Sequence, residues 1–243
     1  MQSVLGQTYK NIEYILIDGG STDGTVEVIQ KHQHARLVWV SEPDKGIYDA
    51  MNKGIRLAKG EWINFMNAGD VFYNSDTISS LQSLFGTDTV LIYGDVRVRY
   101  ANFERTQCAG LFSRLWKGMI CCHQSVFIKR KILDGSMFNV KYNFASDYDL
   151  LCRIDRTGYN VTKTGQIISK VINNGQGDTK RLECLREFSE IAAEHFINRK
   201  PLVLIRYHFL ILFQYLKCGI KCILPRKTVG FFTKYKYRTW ERR

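Results

Sequence analysis

Two apolar runs of this 243-residue chain end in the same kind of polar sequence, and this repetition constrains the fold more than any other feature. The run 12–17 is followed by DGGSTDGT at 18–25, and the run 62–66 is followed by NAGD at 67–70. In an open α/β sheet, ligands bind beyond the carboxyl ends of the strands. We therefore expect both polar segments to lie at one crevice that binds a phosphorylated small molecule together with a cation.

Strand-like and helix-like segments alternate along the first hundred residues. The period of the apolar residues predicts strands at 12–17, 37–40, 62–66 and 90–93 and helices at 25–34, 49–58, 76–85 and, further on, 147–157. This order is typical of an α/β fold with a mostly parallel sheet flanked by helices. Residues 1–5 resemble the end of a helix, so we also expect the first strand of such a sheet to be missing from this sequence.

The positive charge of the chain is concentrated at its carboxyl end. Twelve of the 35 basic residues and one of the 23 acidic residues lie in 196–243, so this segment carries +11 of the net charge of +12. The nearly neutral remainder argues against a nucleic-acid-binding protein. We predict two units, a catalytic domain at 1–180 and a helical, basic extension at 181–243.

The extension contains an apolar stretch at 201–224 that charged and polar residues interrupt, namely Arg206, His208, Lys217 and Lys221. The interruptions argue against an uninterrupted membrane span. Apolar and aromatic residues beside lysines and arginines suit the surface of an anionic membrane instead. The alternative is a helical pair that packs on the catalytic domain and ends in a solvated basic segment.

The cysteines and the amino-terminal residues indicate in which cellular compartment the protein is expected. The seven cysteines lack paired C-x-x-C spacing, which gives no support to a zinc site or a disulfide framework. No charged leader followed by an apolar stretch begins the sequence, so secretion is not expected. We predict a cytoplasmic protein at the inner face of the plasma membrane.

Three longer motifs carry a family resemblance: SVLGQTY at 3–9, DGGSTDGT at 18–25 and SEPDKGIYDAMNKG at 41–54. They resemble family 2 glycosyltransferases of the GT-A fold. NAGD at 67–70, the pair His123-Gln124 and SDY at 146–148 resemble the colanic acid and exopolysaccharide branch of that family. The resemblance covers roughly residues 1–180. It implies a glycosyltransferase that uses a nucleotide-sugar donor.

The same resemblance implies the residues of the donor site. Asp70 is the candidate ligand of a divalent cation, Mn²⁺ or Mg²⁺, since these ions share carboxylates with substrate phosphates. Asn67 and Gly69 stand where relatives often carry further acids. The donor contacts implied by the resemblance are Asp18, Asp44, Lys45, Asn52, Asn67, His123 and Gln124. The loop 175–177 is either a flap over the donor or an ordinary surface loop.

Asp147 is the candidate catalytic base, because it resembles the acid that family members use to deprotonate the acceptor hydroxyl. That role implies inversion at the anomeric carbon. The alternative is an acid that interacts favourably with the dipole of a helix in its first turn. The expected acceptor is a saccharide or a polyprenyl-linked saccharide. Two other functions stay open, namely a truncated, inactive relic that binds nucleotide-sugar poorly and a hydrolase that uses Asp147 and a metal-bound water.

Overall fold

The computed structural model describes residues 1–32, 34–86, 88–173 and 180–223, with side chains as far as residue 219. The strands in these ranges are β1 (Tyr14–Asp18), β2 (Leu37–Ser41), β3 (Trp62–Asn64), β4 (Val71–Phe72), β5 (Leu91–Arg99), β6 (Glu104–Gln107), β7 (Val126–Lys129) and β8 (Val161–Ile172). The helices are α1 (Gln2–Leu5), α2 (Thr25–Lys31), α3 (Ile47–Leu57), α4 (Thr77–Ser80), α5 (Gln82–Phe85), α6 (Arg130–Asp134), α7 (Ser146–Arg156), α8 (Arg181–His195) and α9 (Lys200–Ile223). Short 3₁₀ segments cover Phe112–Lys117, His123–Ser125 and Ile197–Arg199.

The sheet is mixed, and the prediction of a mostly parallel sheet is wrong. β1 and β2 form a parallel pair, whereas the six-stranded sheet has the order β3-β7-β5-β8-β4 with β6 beside β5. Within the larger sheet β5 and β8 are parallel, and the other pairs are antiparallel. The βαβ order of the amino-terminal part does produce a parallel pair. The short connection between β5 and β6 can join only antiparallel neighbours.

Strands β1 and β3 each have one free edge where the predicted missing strand could pair, as far as the described residues show. Among the described strands, β1 pairs with β2 alone, and β3 pairs with β7 alone at the end of the larger sheet. One edge of each strand therefore lacks a strand partner within the described residues. The additional strand stays a prediction.

The core lies on both faces of the larger sheet, and β5 shows why. Leu91 and Tyr93 belong to a cluster with α3, α7 and α8, and Ile92 belongs to a second cluster with Phe72 and Phe127. Successive side chains of a strand point to opposite faces, so a strand buried on both sides is apolar throughout. The first cluster supports the helices that carry the candidate site.

The described part of the carboxyl-terminal extension is helical and packs on the core. Leu185 and Ile191 of α8 and Val203 and Tyr207 of α9 are buried in the same cluster as Leu150 of α7. The boundary at residue 180 stays a prediction. The strongly basic end, 224–243, and the loop 175–177 lie outside the described residues.

Helix α9 covers almost the same residues as the interrupted apolar run at 201–224. By length and composition, Ile197–Gly219 is a candidate membrane span with mean hydropathy 1.2, and 11% of its most apolar window is buried. The charged and polar interruptions therefore do not keep this segment below the length and hydropathy of a membrane span.

Candidate active site

Asp18 ends β1 and is held by the turn that follows it. Its Oδ2 accepts hydrogen bonds from the backbone N–H groups of Gly20 at 3.1 Å and Ser21 at 2.9 Å and from Ser41 Oγ at 2.6 Å. Its Oδ1 accepts from Ser21 Oγ at 2.5 Å. The hydroxyls of Ser21 and Ser41 and the backbone donors lower the pKa of Asp18 to about 2. Asp18 is buried, and these contacts build the turn.

The loop after β2 lies against this turn. A Cβ on Gly19 would lie 2.5 Å from Asp44 Oδ2, so a larger residue at position 19 would displace the Asp44 side chain. Asp44 Oδ1 accepts a hydrogen bond from Gly46 N at 2.8 Å, and Lys45 is exposed. Asp18, Asp44 and Lys45 therefore belong to one neighbourhood at the ends of β1 and β2.

Asn52 has a structural task that the sequence did not indicate. Its Nδ2 donates to the carbonyl oxygen of Phe138 at 2.9 Å, and its Oδ1 accepts from Phe138 N at 2.9 Å. The side chain is buried and pairs with the backbone as a neighbouring strand would. Both polar atoms of its amide thus have a partner in Phe138, and contact of Asn52 with the donor stays a prediction.

Asp70 follows a tight turn after β3. Asp70 N donates to the carbonyl oxygen of Asn67 at 3.1 Å, and Gly69 has φ +89°, as the third residue of a type II turn requires. Asp70 Oδ2 accepts from Gln124 Nε2 at 2.5 Å. Partial burial raises the pKa of Asp70, and the hydrogen bond from Gln124 opposes that rise.

The 3₁₀ turn His123–Ser125 connects Asp70 to the candidate base. His123 Nε2 lies 3.0 Å from Asn67 Nδ2, and His123 Nδ1 lies 3.3 Å from Asp147 Oδ2. A proton on Nδ1 satisfies both contacts, since Nε2 then accepts from the amide of Asn67. Gln124, the next residue, contacts Asp70. Five residues predicted separately thus form one polar group, the His123 network: Asn67, Asp70, His123, Gln124 and Asp147.

Asp147 lies in the first turn of α7, where its carboxylate is partly accessible. Its side chain is 16% exposed, and Oδ1 accepts hydrogen bonds from Tyr148 N at 2.8 Å and from the Tyr48 hydroxyl at 3.1 Å. The hydroxyl of the buried Tyr148 donates to the carbonyl oxygen of Leu115 at 2.6 Å, which anchors this end of the helix. The carboxylate is thus fixed in place yet open on one side.

An apolar pocket adjoins this carboxylate. Asp147 and His123 contribute its polar atoms, and the apolar lining comes from Phe65, Met119, Val126, Ile128, Phe138, Leu150 and Leu151. Exclusion of water strengthens electrostatic interactions of charged groups in such a place. A hydroxyl group placed at the pocket mouth would meet an oriented carboxylate, which is the arrangement required for general base catalysis.

Two side chains of this site were not predicted from the sequence, Tyr48 and Cys122. Tyr48 donates to Asp147 from 99 residues away, and Cys122 Sγ lies 2.7 Å from Gln124 Oε1. The only signal for Tyr48 was its position in the first helical turn after the loop 44–46. Asp149 points elsewhere, since its carboxylate contacts His195 and Arg153.

The residues of this site fit a divalent cation that would be held by one carboxylate and by the phosphates of a donor. No group of three or more His, Cys, Asp or Glu side chains that could hold a metal occurs in the part of the chain that the structure describes. Magnesium and manganese commonly bind through one or two carboxylates plus substrate phosphates. Asp70, partly exposed at a turn, matches such a site.

The chain that carries this site matches a known protein family. The family model described as Glycosyl transferase family 2 matches residues 1–138. The chain belongs to glycosyltransferase family 2. A similar curated relative of this glycosyltransferase is the PGL/p-HBAD biosynthesis glycosyltransferase of Mycobacterium bovis, 33% identical over 209 residues that cover 83% of this chain and 77% of the relative. The chondroitin synthase of Escherichia coli is 27% identical over 77% of this chain and 28% of its own length. The exopolysaccharide branch stays a prediction.

Solved glycosyltransferases share the fold. S. aureus TarS 1–349 in complex with UDP-GlcNAc matches with a TM-score of 0.64 and 13% identity over 85% of this chain and 66% of that one. The chain thus spans slightly less than two thirds of that TarS fragment. The mannosyltransferase PcManGT of Pyrobaculum calidifontis, in complex with GDP-Man and Mn²⁺, matches with a TM-score of 0.59 and 17% identity over 98% of this chain and 77% of that one. The mixed α/β fold is that of GT-A glycosyltransferases.

Proposed function

We propose that this glycosyltransferase transfers a sugar, with inversion, from a nucleotide-sugar to a hydroxyl of a growing or lipid-linked bacterial surface saccharide. The observation that carries the proposal is the His123 network. Neighbouring residues of one turn, His123 and Gln124, contact the candidate base Asp147 and the candidate cation ligand Asp70. The residues proposed to stabilise the leaving diphosphate and to activate the acceptor are therefore linked through one short turn.

The donor side of the site consists of Asp70, Asn67 and the loop 44–46. A divalent cation, Mn²⁺ or Mg²⁺, offsets the charge of the leaving diphosphate when it is bound. Asp70 is its protein ligand, and Lys45 supplies an exposed positive charge for phosphate. Asp18 contributes to donor binding mainly by fixing the turn at 18–21 beside Asp44, because its oxygens already accept four hydrogen bonds.

Asp147 is the base of the transfer step. An oxygen of its carboxylate accepts the proton of the acceptor hydroxyl while that hydroxyl oxygen forms a bond to the anomeric carbon. The bond from that carbon to the diphosphate oxygen breaks, and its electron pair leaves with the nucleoside diphosphate. Attack from the face opposite the leaving group inverts the configuration.

The decisive experiment is calorimetry with a panel of UDP- and GDP-sugars, with and without Mn²⁺. We expect at least one donor to bind in an Mn²⁺-dependent manner and to be consumed when an acceptor is added. Asp70→Ala weakens that binding by about tenfold or more, the scale of losing one contact to a charged group. The matched control is Asp76→Ala, which removes an exposed acid six residues further along the chain and leaves binding unchanged.

Two outcomes contradict the proposal. If no nucleotide-sugar binds with Mn²⁺, the inactive relic is the better description of the chain. If free sugar is released at the same rate with and without acceptor, the protein is a hydrolase.

We also propose that α9 holds the enzyme at the inner face of the plasma membrane, next to a polyprenyl-linked acceptor. The inner side of α9 is buried through Val203 and Tyr207. Its outer side exposes a stripe of large apolar side chains: Leu202, Ile205, Phe209, Leu212, Phe213 and Leu216. An apolar stripe with basic residues nearby binds the surface of an anionic bilayer.

Sedimentation with phosphatidylglycerol vesicles tests the membrane proposal. The double substitution Phe209→Asp with Phe213→Asp removes binding, whereas Val140→Asp, at an exposed apolar residue elsewhere, keeps it. Alkaline carbonate releases a peripheral protein from the vesicles. Equal binding of both variants, or retention of the protein in carbonate, refutes peripheral contact through this stripe.

A further inference from the structure

Tyr48 is placed to hold the candidate base from a distant part of the chain. Its hydroxyl donates to Asp147 Oδ1 at 3.1 Å, and the side chain lies in the first turn of α3, directly after the loop 44–46. The residue is 7% exposed. It therefore contacts Asp147 without lying in the open part of the pocket, where a substrate would bind.

The ring of Tyr48 is fixed by its own neighbours. It stacks on Phe138 with ring centroids 5.4 Å apart and an interplanar angle of 28°. The backbone of Phe138 is in turn held by the two hydrogen bonds from Asn52, one turn further along α3. Tyr48 and Asn52, on one face of α3, thus hold both the tyrosine ring and the Phe138 segment against which that ring stacks. The hydroxyl of Tyr48 therefore has a defined direction.

The hydroxyl stays a donor over the working pH range. Burial, and then the negative charge of Asp147, raise the pKa of Tyr48 far above its usual value. The hydroxyl and Tyr148 N both donate to Oδ1 of Asp147, and Oδ2 faces His123. The carboxylate plane is therefore set by groups from three separate segments.

We propose that Tyr48 is a positioning residue for Asp147, and that its hydroxyl keeps the carboxylate oriented for proton transfer. This inference rests on the proposed function. Because Tyr48 lies in the first turn of the helix that follows the loop 44–46, the same side chain ties the base to the donor side of the site. A base displaced by a fraction of an ångström loses turnover without losing donor binding.

Tyr48→Phe removes the hydroxyl and keeps the stacked ring, so it tests the inference directly. We expect kcat to fall about tenfold, the scale of one hydrogen bond to a charged group, while the KM for the donor changes by less than about twofold. The matched control is Tyr93→Phe, which removes a buried hydroxyl that donates to the carbonyl oxygen of Gly110 at 3.2 Å, a partner outside the His123 network. This control keeps wild-type kcat.

A double-mutant cycle separates positioning from a general loss of structure. In the Asp147→Asn background, Tyr48→Phe should change the residual kcat by less than about twofold, because Tyr48 acts through that carboxylate. An unchanged kcat in Tyr48→Phe overturns the inference. So does an equal further loss in the Asp147→Asn background.

A second readout does not need activity. In protein labelled with ¹³C at aspartate carboxyl groups, the resonance absent from Asp147→Asn identifies Asp147, and its chemical shift at neutral pH should change in Tyr48→Phe but not in Tyr93→Phe, since the hydrogen bond from Tyr48 to that carboxylate is removed. An unchanged chemical shift in Tyr48→Phe overturns the inference even if the wild-type protein is active. A wild-type protein that transfers no sugar refutes the proposed function, and the chemical shift then still tests Tyr48.

Discussion

Asp18 and Asp147 are both carboxylates at the end of a regular element, but their surroundings differ. Asp18 accepts all its hydrogen bonds from Gly20, Ser21 and Ser41, two to 23 residues away in the sequence. Asp147 accepts one from the next residue and one from Tyr48, 99 residues away, and faces His123 as well. Asp18 is buried, whereas Asp147 lines a pocket.

The difference separates a carboxylate that builds structure from one that can act on a substrate. Hydrogen bonds to the charged form stabilise Asp18 as a permanent anion, which makes it a poor proton acceptor. Asp147 has fewer donors and an apolar neighbourhood on one side. The two acids should therefore respond differently to the same Asp→Asn substitution, and this expectation can be tested.

The largest expected effect is on turnover, at Asp147. Asp147→Asn lowers kcat by about a hundredfold or more, because the amide cannot take up the proton of the acceptor, and leaves donor binding intact. Steady-state kinetics and calorimetry measure the two properties. Asp155→Asn, two turns along the same helix, is the control and keeps kcat. Wild-type turnover in Asp147→Asn would show that the base lies elsewhere.

A smaller effect is expected on stability, at Asp18. Asp18→Asn lowers the free energy of unfolding by about 1–3 kcal/mol at neutral pH, since the backbone and hydroxyl donors of the turn lose a charged acceptor. Urea unfolding measures this change. Donor binding weakens with it, because the turn supports the loop at Asp44. Full stability of Asp18→Asn would contradict the structural role.

The pH dependence of stability sharpens the same comparison. The pKa of Asp18 is lowered to about 2 in the folded protein, against about 3.9 for an unfolded chain. Its contribution is therefore present above about pH 4 and is lost as the pH falls toward 2. The difference in unfolding free energy between wild type and Asp18→Asn should shrink over that interval. A constant difference would count against this account.

Much of the fold was predictable because it depends on local patterns. The apolar period gave β1, β2 and α3, and the glycines at 20 and 24, which adopt positive φ, mark the turn after β1. Strand direction was not predictable beyond the first pair. β7 enters the sheet antiparallel between β3 and β5, and the order of strands along the sheet depends on packing of both faces rather than on any one segment.

The candidate site was predictable as a set of residues but not as an arrangement. Resemblance to the family placed His123, Gln124 and Asp147 on the list of candidates, and the structure brings them together with Asn67 and Asp70. Asn52 is predicted to contact the donor because its motif resembles the family, and the structure shows that its amide also holds the backbone of Phe138. A motif cannot distinguish these two uses of one amide.

The sequence by itself determined the family, with its glycosyltransferase domain, and the turn whose N–H and hydroxyl groups donate hydrogen bonds to Asp18. Each of these depends on residues close together in the chain. The tertiary structure alone decided the direction of the strands and the partners of Asp147. Those partners come from α3 and from the turn at His123, and only the packing of helices on both faces of the sheet brings such distant segments within hydrogen-bond distance.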